Sequence, residues 1–456
     1  MNYDFATYKP QYKANLKLAL PVVLTQLGQI LTQMADNLMV GRYGGDDPVP
    51  LAAVSFGGSI FFIVFITLVG VSLGLTPLVG ELFARGDRRR SAELLHNGIV
   101  FYTLLGAGGS LLLWALTPLL YRLGQPSEVV EAAIPYYRLL GYSMPFMMLF
   151  FAFKQFLEGV GNTRAEMAVT ILCNLANIGF NYLFIYGRWG FAEMGAVGAG
   201  MGTLLSRMLA PLLMIGYVLR RERYRLYLEG FSIGCCTRRR VGQLLRMGLP
   251  IASQMFLECS AFVGTSVMMG WFGKEAIGAN QIAITLGNCA FMIVMSIGAA
   301  TTIRVSHCYG ARNIAQLSLA AKASYHLVLA WNALAALLFI SLRHWIPTLF
   351  TTNAEVVAIT SQLLVFAALY QLSDGIQNIS VGVLRGIQDV KVVMPIALVS
   401  YWVLNLPVGY LLGFVWGMGP SGLFLGFSFG LSAAAVLLIV RIRRSVRRLY
   451  ASQAAD

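Results

Sequence analysis

Leu249–Gly273 reads LPIASQMFLECSAFVGTSVMMGWFG, 25 residues of apolar sequence interrupted by one carboxylate, Glu258. At ~1.5 Å per residue a helix of this length crosses a ~30 Å hydrocarbon layer. Counted from Leu249, Glu258 lies roughly 14 Å in, too deep for a short acidic side chain to reach water, and a charge there costs on the order of 3 kcal/mol. An acid at that depth points to function before packing.

The rest of the chain fits the same setting. Its 456 residues are 57% hydrophobic and 12% charged, about half the charge of a soluble domain, which predicts a polytopic membrane protein. The net charge of +14 would suit nucleic acid, but the basic residues fall in short segments between apolar runs, as topology signals do, so no nucleic-acid partner is expected. The six cysteines have neither disulfide nor zinc spacing, and adjacent Cys235 and Cys236 in a basic loop are expected to be reduced. No phosphate-binding loop, GxSxG or HExxH pattern appears, and no His/Asp cluster gathers at one membrane face, which argues against an enzyme.

Apolar runs predict twelve spans, near 16–41, 52–79, 94–117, 132–157, 166–186, 195–219, 247–272, 278–303, 318–342, 356–384, 392–414 and 421–440. With both termini cytoplasmic, 26 of the 34 Lys and Arg residues fall on the cytoplasmic side, Arg304 and Arg385 among them; Lys154 and Arg207 lie within spans, Lys154 as a snorkelling residue.

The two halves repeat. LALPVVL at Leu18 resembles MGLPIAS at Met247, ARGD at Ala84 resembles ARN at Ala311, LEGVGNT at Leu157 resembles LRGIQDV at Leu384, and EMGAVG at Glu193 resembles GMGPSG at Gly417. Six spans per copy, both entering from one side, predict an all-α membrane fold of two six-helix bundles related by a pseudo-two-fold along the membrane normal. The expected division is 1–219, a basic cytoplasmic linker 220–246, and 247–456 with its basic tail. Duplication of this kind is typical of transporters, whose path runs between the repeats near the midplane.

Three acids lie well inside spans: Asp36 in LGQILTQMADNLMVG, Glu258, and Asp374 in FAALYQLSDGIQNIS. Asp374 precedes Arg385 by eleven residues, roughly 17 Å of helix, which puts it at the level of Glu258, so the two could share one cation. Near that level come Phe262, four residues after Glu258, Tyr370, four before Asp374, and Phe291 on the eighth span. Aromatic faces beside carboxylates suit an inorganic or a flat organic cation. Asp36 sits about 8 Å from the outer end of its span, and Asn181, Asn177 and Thr203 fall at comparable heights. Together these can ligate a hard cation, hold a protonated carboxyl in a hydrogen-bond network, or form an ordinary interhelical polar clasp. Glu81 and Glu158 at span ends are expected to be solvated or paired with Arg85 and Arg164.

LPVVLTQLGQILTQMADNLMVGRYG from Leu20, GANQIA from Gly278, and the trio Asp36, Glu258 and Asp374, with the twelve-span duplication, resemble the multidrug and toxic compound extrusion family and its NorM-like branch over essentially the whole chain. The resemblance implies a bacterial inner-membrane antiporter that exports small cationic drugs in exchange for Na+ or H+, with no other cofactor and as a monomer. By the same resemblance Glu258, Asp374, Tyr370, Phe262 and Phe291 match the second-bundle cation site, with Glu258, Asp374 and Tyr370 as Na+ ligands. Asp36, Asn177, Asn181 and Thr203 match the first-bundle site, and Asp36, Phe56, Gln281, Glu258 and Asp374 the substrate contacts. Relatives can carry a second acid where this chain has Asn181, so the first-bundle site has one fewer charge. A lipid or lipid-linked oligosaccharide flippase of the same superfamily is the alternative; such proteins tend to line their cavities with arginine for pyrophosphate.

Overall fold

The computed structural model describes residues 5–45, 47–232, 234 and 236–455; Cys235 lies outside them. The described residues form helices and no strand. In chain order these are α1 (Phe5–Gly44), α2 (Val49–Ser72), α3 (Leu75–Ala84), α4 (Arg88–Leu120), α5 (Ser127–Gly159), α6 (Thr163–Ile185), α7 (Gly195–Arg220), the short α8 (Glu222–Arg225), α9 (Arg238–Gly270), α10 (Lys274–Gly310), α11 (Ile314–Leu342), α12 (Ala354–Gly386), α13 (Val393–Ala397), α14 (Leu406–Tyr410) and α15 (Pro420–Ala455). Two π-helical stretches, Leu398–Asn405 and Leu411–Val415, join α13 and α14 into one run.

Eleven helical runs among the described residues are long and apolar enough to cross a membrane. The twelfth long helix, α5, has 33 residues, and Tyr136, Tyr137, Arg138, Tyr142 and Pro145 dilute its hydropathy. This is the twelve-span, all-α membrane class expected. Large side chains such as Leu31, Leu104, Leu172 and Leu337 are more than 50% exposed, an outward apolar surface that suits lipid.

The loops show why the helices start where they do. Asp87 caps α4 by accepting from the Arg90 N–H at 3.0 Å, and Asn313 caps α11 by accepting from the Gln316 N–H at 3.0 Å. These are the equivalent positions of ARGD and ARN, so the repeat recurs as the same helix-start device. The third repeated loop has diverged: Asn162 caps α6, whereas Asp389 accepts from Arg441 Nε at 2.8 Å, Arg441 Nη2 at 2.9 Å and Ser445 Oγ at 2.6 Å on α15.

By contacts the chain divides into Pro21–Ala252 and a second unit made of Met1–Leu20 with Ser253–Asp456. The start of α1 belongs with the second unit because Arg304 on α10 donates to the Gln11 carbonyl at 3.1 Å, Gln11 Oε1 at 2.5 Å and Asn15 Oδ1 at 2.7 Å. Arg304, expected as a cytoplasmic topology charge, is thus spent on holding α1. In the same unit α10 and α12 pack through small residues: a Cβ on Gly382 would sit 2.8 Å from the Gly298 carbonyl oxygen.

Burial alone would push the Asp389 carboxyl up, but the bonds from Arg441 and Ser445 and the charges of Arg441 and Arg448 outweigh it and hold the carboxyl below the usual carboxylate range. A lowered folded value means the stabilisation is complete above the unfolded value, ~3.9, and is lost as pH falls through the folded one. Asp389→Asn should therefore lower stability by about 1–2 kcal/mol at pH 7, with the deficit shrinking once the pH drops below about 4. Thermal unfolding of both proteins in detergent across that range checks it.

Candidate functional site

In the second unit the sequence places Gln254 and Glu258 one turn apart on α9, on the same face. Gln254 Nε2 donates to Glu258 Oε2 at 3.0 Å, while Gln254 Oε1 accepts from Arg385 Nη2 of α12 at 3.0 Å, so the amide joins the guanidinium to the carboxylate. Tyr401 lies beside Glu258 and interacts with it electrostatically, while its hydroxyl accepts from Gln377 Nε2 at 2.7 Å and lies 3.0 Å from Gln377 Oε1. Tyr401 is fully buried in the π-helical stretch Leu398–Asn405; such widened turns recur at functional sites. Asp374, also buried, interacts electrostatically with both Glu258 and Tyr370. A cavity of about 10 Å³ between Gln254, Gln377 and Tyr401 is at the lower limit of room for one water.

The aromatic residues divide. Phe262 stacks on Phe427 at 4.5 Å between ring centres, and Phe427 lies 5.8 Å from Tyr370, so Phe427 links two expected residues. Phe291 packs instead with a separate apolar cluster that includes Val294, Val328 and Ile379. Gln281 is exposed on α10.

In the first unit five polar residues form one chain of bonds. Asn181 Nδ2 donates to Asp36 Oδ1 at 2.6 Å and to Asn177 Oδ1 at 3.2 Å, and Asn177 Nδ2 reaches Thr203 Oγ1 at 3.4 Å and Ser206 Oγ at 3.3 Å. Asn181 fits because Gly202 faces it: a Cβ there would collide with Asn181 Oδ1. Arg207, one turn from Thr203, donates to Ser143 Oγ at 2.8 Å, lies 4.8 Å over the Phe61 ring, and interacts electrostatically with Asp36 and Tyr136. Phe56 packs in the cluster that holds Phe61 and Tyr136.

The sequence pattern of the MatE family matches residues 21–183 and again 250–411. The chain belongs to the MatE family. That a single pattern matches twice, starting at Pro21 and Pro250, is the duplication read from the repeats. Among MatE relatives, the multidrug resistance protein NorM of Photobacterium profundum is 32% identical, with 96% of each chain covered. A probable multidrug resistance protein NorM of Xanthomonas campestris pv. campestris is 34% identical, over 98% of this chain and 97% of the relative. In fold the chain is similar to a solved multidrug resistance MATE family transporter in an outward-facing conformation, with TM-score 0.87 and 20% identity over 96% of this chain and 97% of that one. It is also similar to a MATE transporter of Vibrio cholerae, with TM-score 0.88 and 19% identity over 98% and 99%.

Several polar residues in this MatE chain differ from the sequence reading. Arg385, taken as a cytoplasmic marker, is largely enclosed and serves Gln254 and Glu258, because a long guanidinium finds fixed acceptors there. Lys154 does not snorkel: its Nζ is 2.5 Å from Glu166 Oε1 and 3.9 Å from Glu158 Oε1, and Glu166 is fully buried. Glu158 therefore pairs within its own helix and not with Arg164, whereas Glu81 pairs with Arg85 at 2.5 Å as expected. Gln254, Gln377, Tyr401, Ser206 and Tyr136 were missed; only Gln254 carried a local signal, its four-residue spacing from Glu258.

Gly202→Ala should displace Asn181, leave Asp36 without its donor, and lower stability by about 1–3 kcal/mol. Asn181→Ala removes the same donor and the clash with it, so the double variant should be no less stable than Asn181→Ala alone, which thermal unfolding of the single and double variants would read.

Proposed function

We propose that the protein is a multidrug exporter that exchanges cationic organic compounds for Na+ or H+ by alternating access. The observation that carries this reading is geometric: Gln254 holds Glu258 and, through its other end, Arg385, in the same apolar bundle that buries Asp374. With Arg385 as the one cation beside Glu258 among the described residues, Glu258 and Asp374 when both ionised leave a net charge of minus one. A proton, a Na+ ion or an organic cation neutralises it, and competition among them gives exchange. Phe262, Phe427 and Tyr370 offer ring faces to an organic cation near the carboxylates. The NorM names of the relatives support the same substrate class.

Each side chain has a definite task in this reading. Gln254 holds Glu258 toward Arg385, so arrival of a cation at the carboxylate loosens the guanidinium. Tyr401 and Gln377 hold each other by two hydrogen bonds and place an uncharged polar pair beside the carboxyl. In the first unit Asp36 with Asn181, Asn177 and Thr203 forms a second polar site for a proton, an ion or substrate, tempered by Arg207. One charge moving down ~100 mV supplies ~2.3 kcal/mol, enough for a roughly fiftyfold gradient. A monovalent drug exchanged for one cation moves no net charge, so either the ion's own chemical gradient or a second ion drives export. The proposed setting is a monomer in a bacterial inner membrane with both termini cytoplasmic.

A lipid or lipid-linked oligosaccharide flippase is the second reading, and Arg207 favours it: among the described residues it forms no carboxylate salt bridge. Ethidium efflux from proteoliposomes with Na+ and pH gradients imposed separately decides between them. Either gradient should drive efflux in the parent, and Glu258→Gln and Asp374→Asn should each cut it by about tenfold or more. Efflux that neither gradient drives and neither substitution alters would sink the exporter and move the flippase forward.

A further inference from the structure

A second cavity, of about 560 Å³, opens in the first unit between the end of α3, the start of α4 and the first turns of α9. It is lined by Arg85, Arg90, Arg239, Arg240 and Arg246, with Glu81 as its one acid. Three of the arginines are committed: Arg85 to Glu81 at 2.5 Å, Arg90 to Asp87 at 3.3 Å, and Arg240 to Glu93 at 2.6 Å. Arg240 is further fixed by Gln243 Oε1 at 3.2 Å. Arg239 and Arg246 have no acidic partner among the described residues, so the cavity keeps an excess of two positive charges.

Helical spacing puts the two uncommitted arginines on one stripe. Arg239 and Arg246 are seven residues apart, two turns of α9, with Gly242 between them. A Cβ on Gly242 would meet nothing within 4 Å, so the space between the guanidinium groups is open. Leu78 and Leu82 are buried and close the bottom of the cavity with apolar surface. Asp87 and Glu93 each hold one of these arginines, and Arg239 and Arg246 line the cavity with no carboxylate partner among the described residues.

We propose that this cavity binds a phosphate-bearing anion. Guanidinium groups match phosphate oxygens in a planar, two-pronged geometry. The volume falls within the ~300–1,000 Å³ of small-molecule sites, larger than a lone phosphate ion needs. Two sources share this chemistry: the headgroup of an anionic phospholipid at the end of the spans, or a soluble phosphate compound. Nothing in the exchange chemistry of Glu258, Asp374 or Asp36 uses the site.

The test is retention of ligand by the full-length protein in native mass spectrometry, with phosphatidylglycerol, zwitterionic phosphatidylethanolamine and inorganic phosphate as separate probes. Arg239→Gln with Arg246→Gln removes the two free charges, and Gly242→Leu fills the gap at unchanged charge. Arg443→Gln with Arg444→Gln, in the basic tail and not among the residues that line the cavity, removes the same charge elsewhere. The parent should keep phosphatidylglycerol over phosphatidylethanolamine, and both cavity variants should lose it by about tenfold or more while the tail variant does not. Retention of inorganic phosphate with the same dependence on the cavity variants, and displacement of phosphatidylglycerol by it, supports the site with a soluble source. If neither probe is retained in a cavity-dependent way, or if loss follows net charge alone so that Gly242→Leu is silent, the proposal is overturned.

Discussion

The Glu258 carboxylate is half-buried among apolar helices, and its surroundings are arranged around the cost of holding a charge there. Gln254 bonds it, Tyr401 lies beside it, Arg385 balances it in part, and Asp374 opposes it. These partners come from α9, α12 and the π-helical stretch before α14, so the charge ties three separate parts of the chain together. Removing one partner of such a set leaves the others buried and unpaired, costing about 3–5 kcal/mol by analogy with buried ion pairs.

The first unit solves the same problem with amides. Asn181 bonds Asp36 and Asn177 at once, and Gly202 leaves the room that makes this possible. Both carboxylates thus accept from an amide and have one arginine in electrostatic reach, Gln254 and Arg385 for Glu258, Asn181 and Arg207 for Asp36, but only the Glu258 site adds a second acid, Asp374. Lys154, Glu158 and Glu166 show the remaining option, a buried lysine between two acids. The duplicated loops tell the same story of shared frame and divergent detail: Asp87 and Asn313 both start a helix, while Asn162 and Asp389 have parted, one capping α6 and the other bound to Arg441.

Polar satisfaction and close backbone contact are what connect these sites to the frame. Arg304 fastens the first turns of α1, and Gly298 and Gly382 bring α10 and α12 together. Neither feature is chemical in function, yet α12 carries Tyr370, Asp374, Gln377 and Arg385, so its seating against α10 sets where those groups lie.

The linear sequence determined the class of molecule, its duplication and its embedded acids, because each is a one-dimensional property. Hydropathy summed over twenty residues, an offset of about half the chain and an acid inside an apolar run need no knowledge of neighbours. The linkage of Asp36 with Asn181, Asn177 and Thr203 was legible for a related reason: depth along a helix is simple arithmetic. Which cations are buried was not legible. Arg385, Arg304 and Lys154 read as boundary charges because hydropathy and topology rules see sequence position alone. Whether a long basic side chain runs to water or folds back onto an acceptor depends on what the neighbouring helix presents. Only the packed structure decides that, and so it alone placed Arg385 against Gln254, Tyr401 beside Glu258, and Phe291 apart from the cluster its depth had suggested.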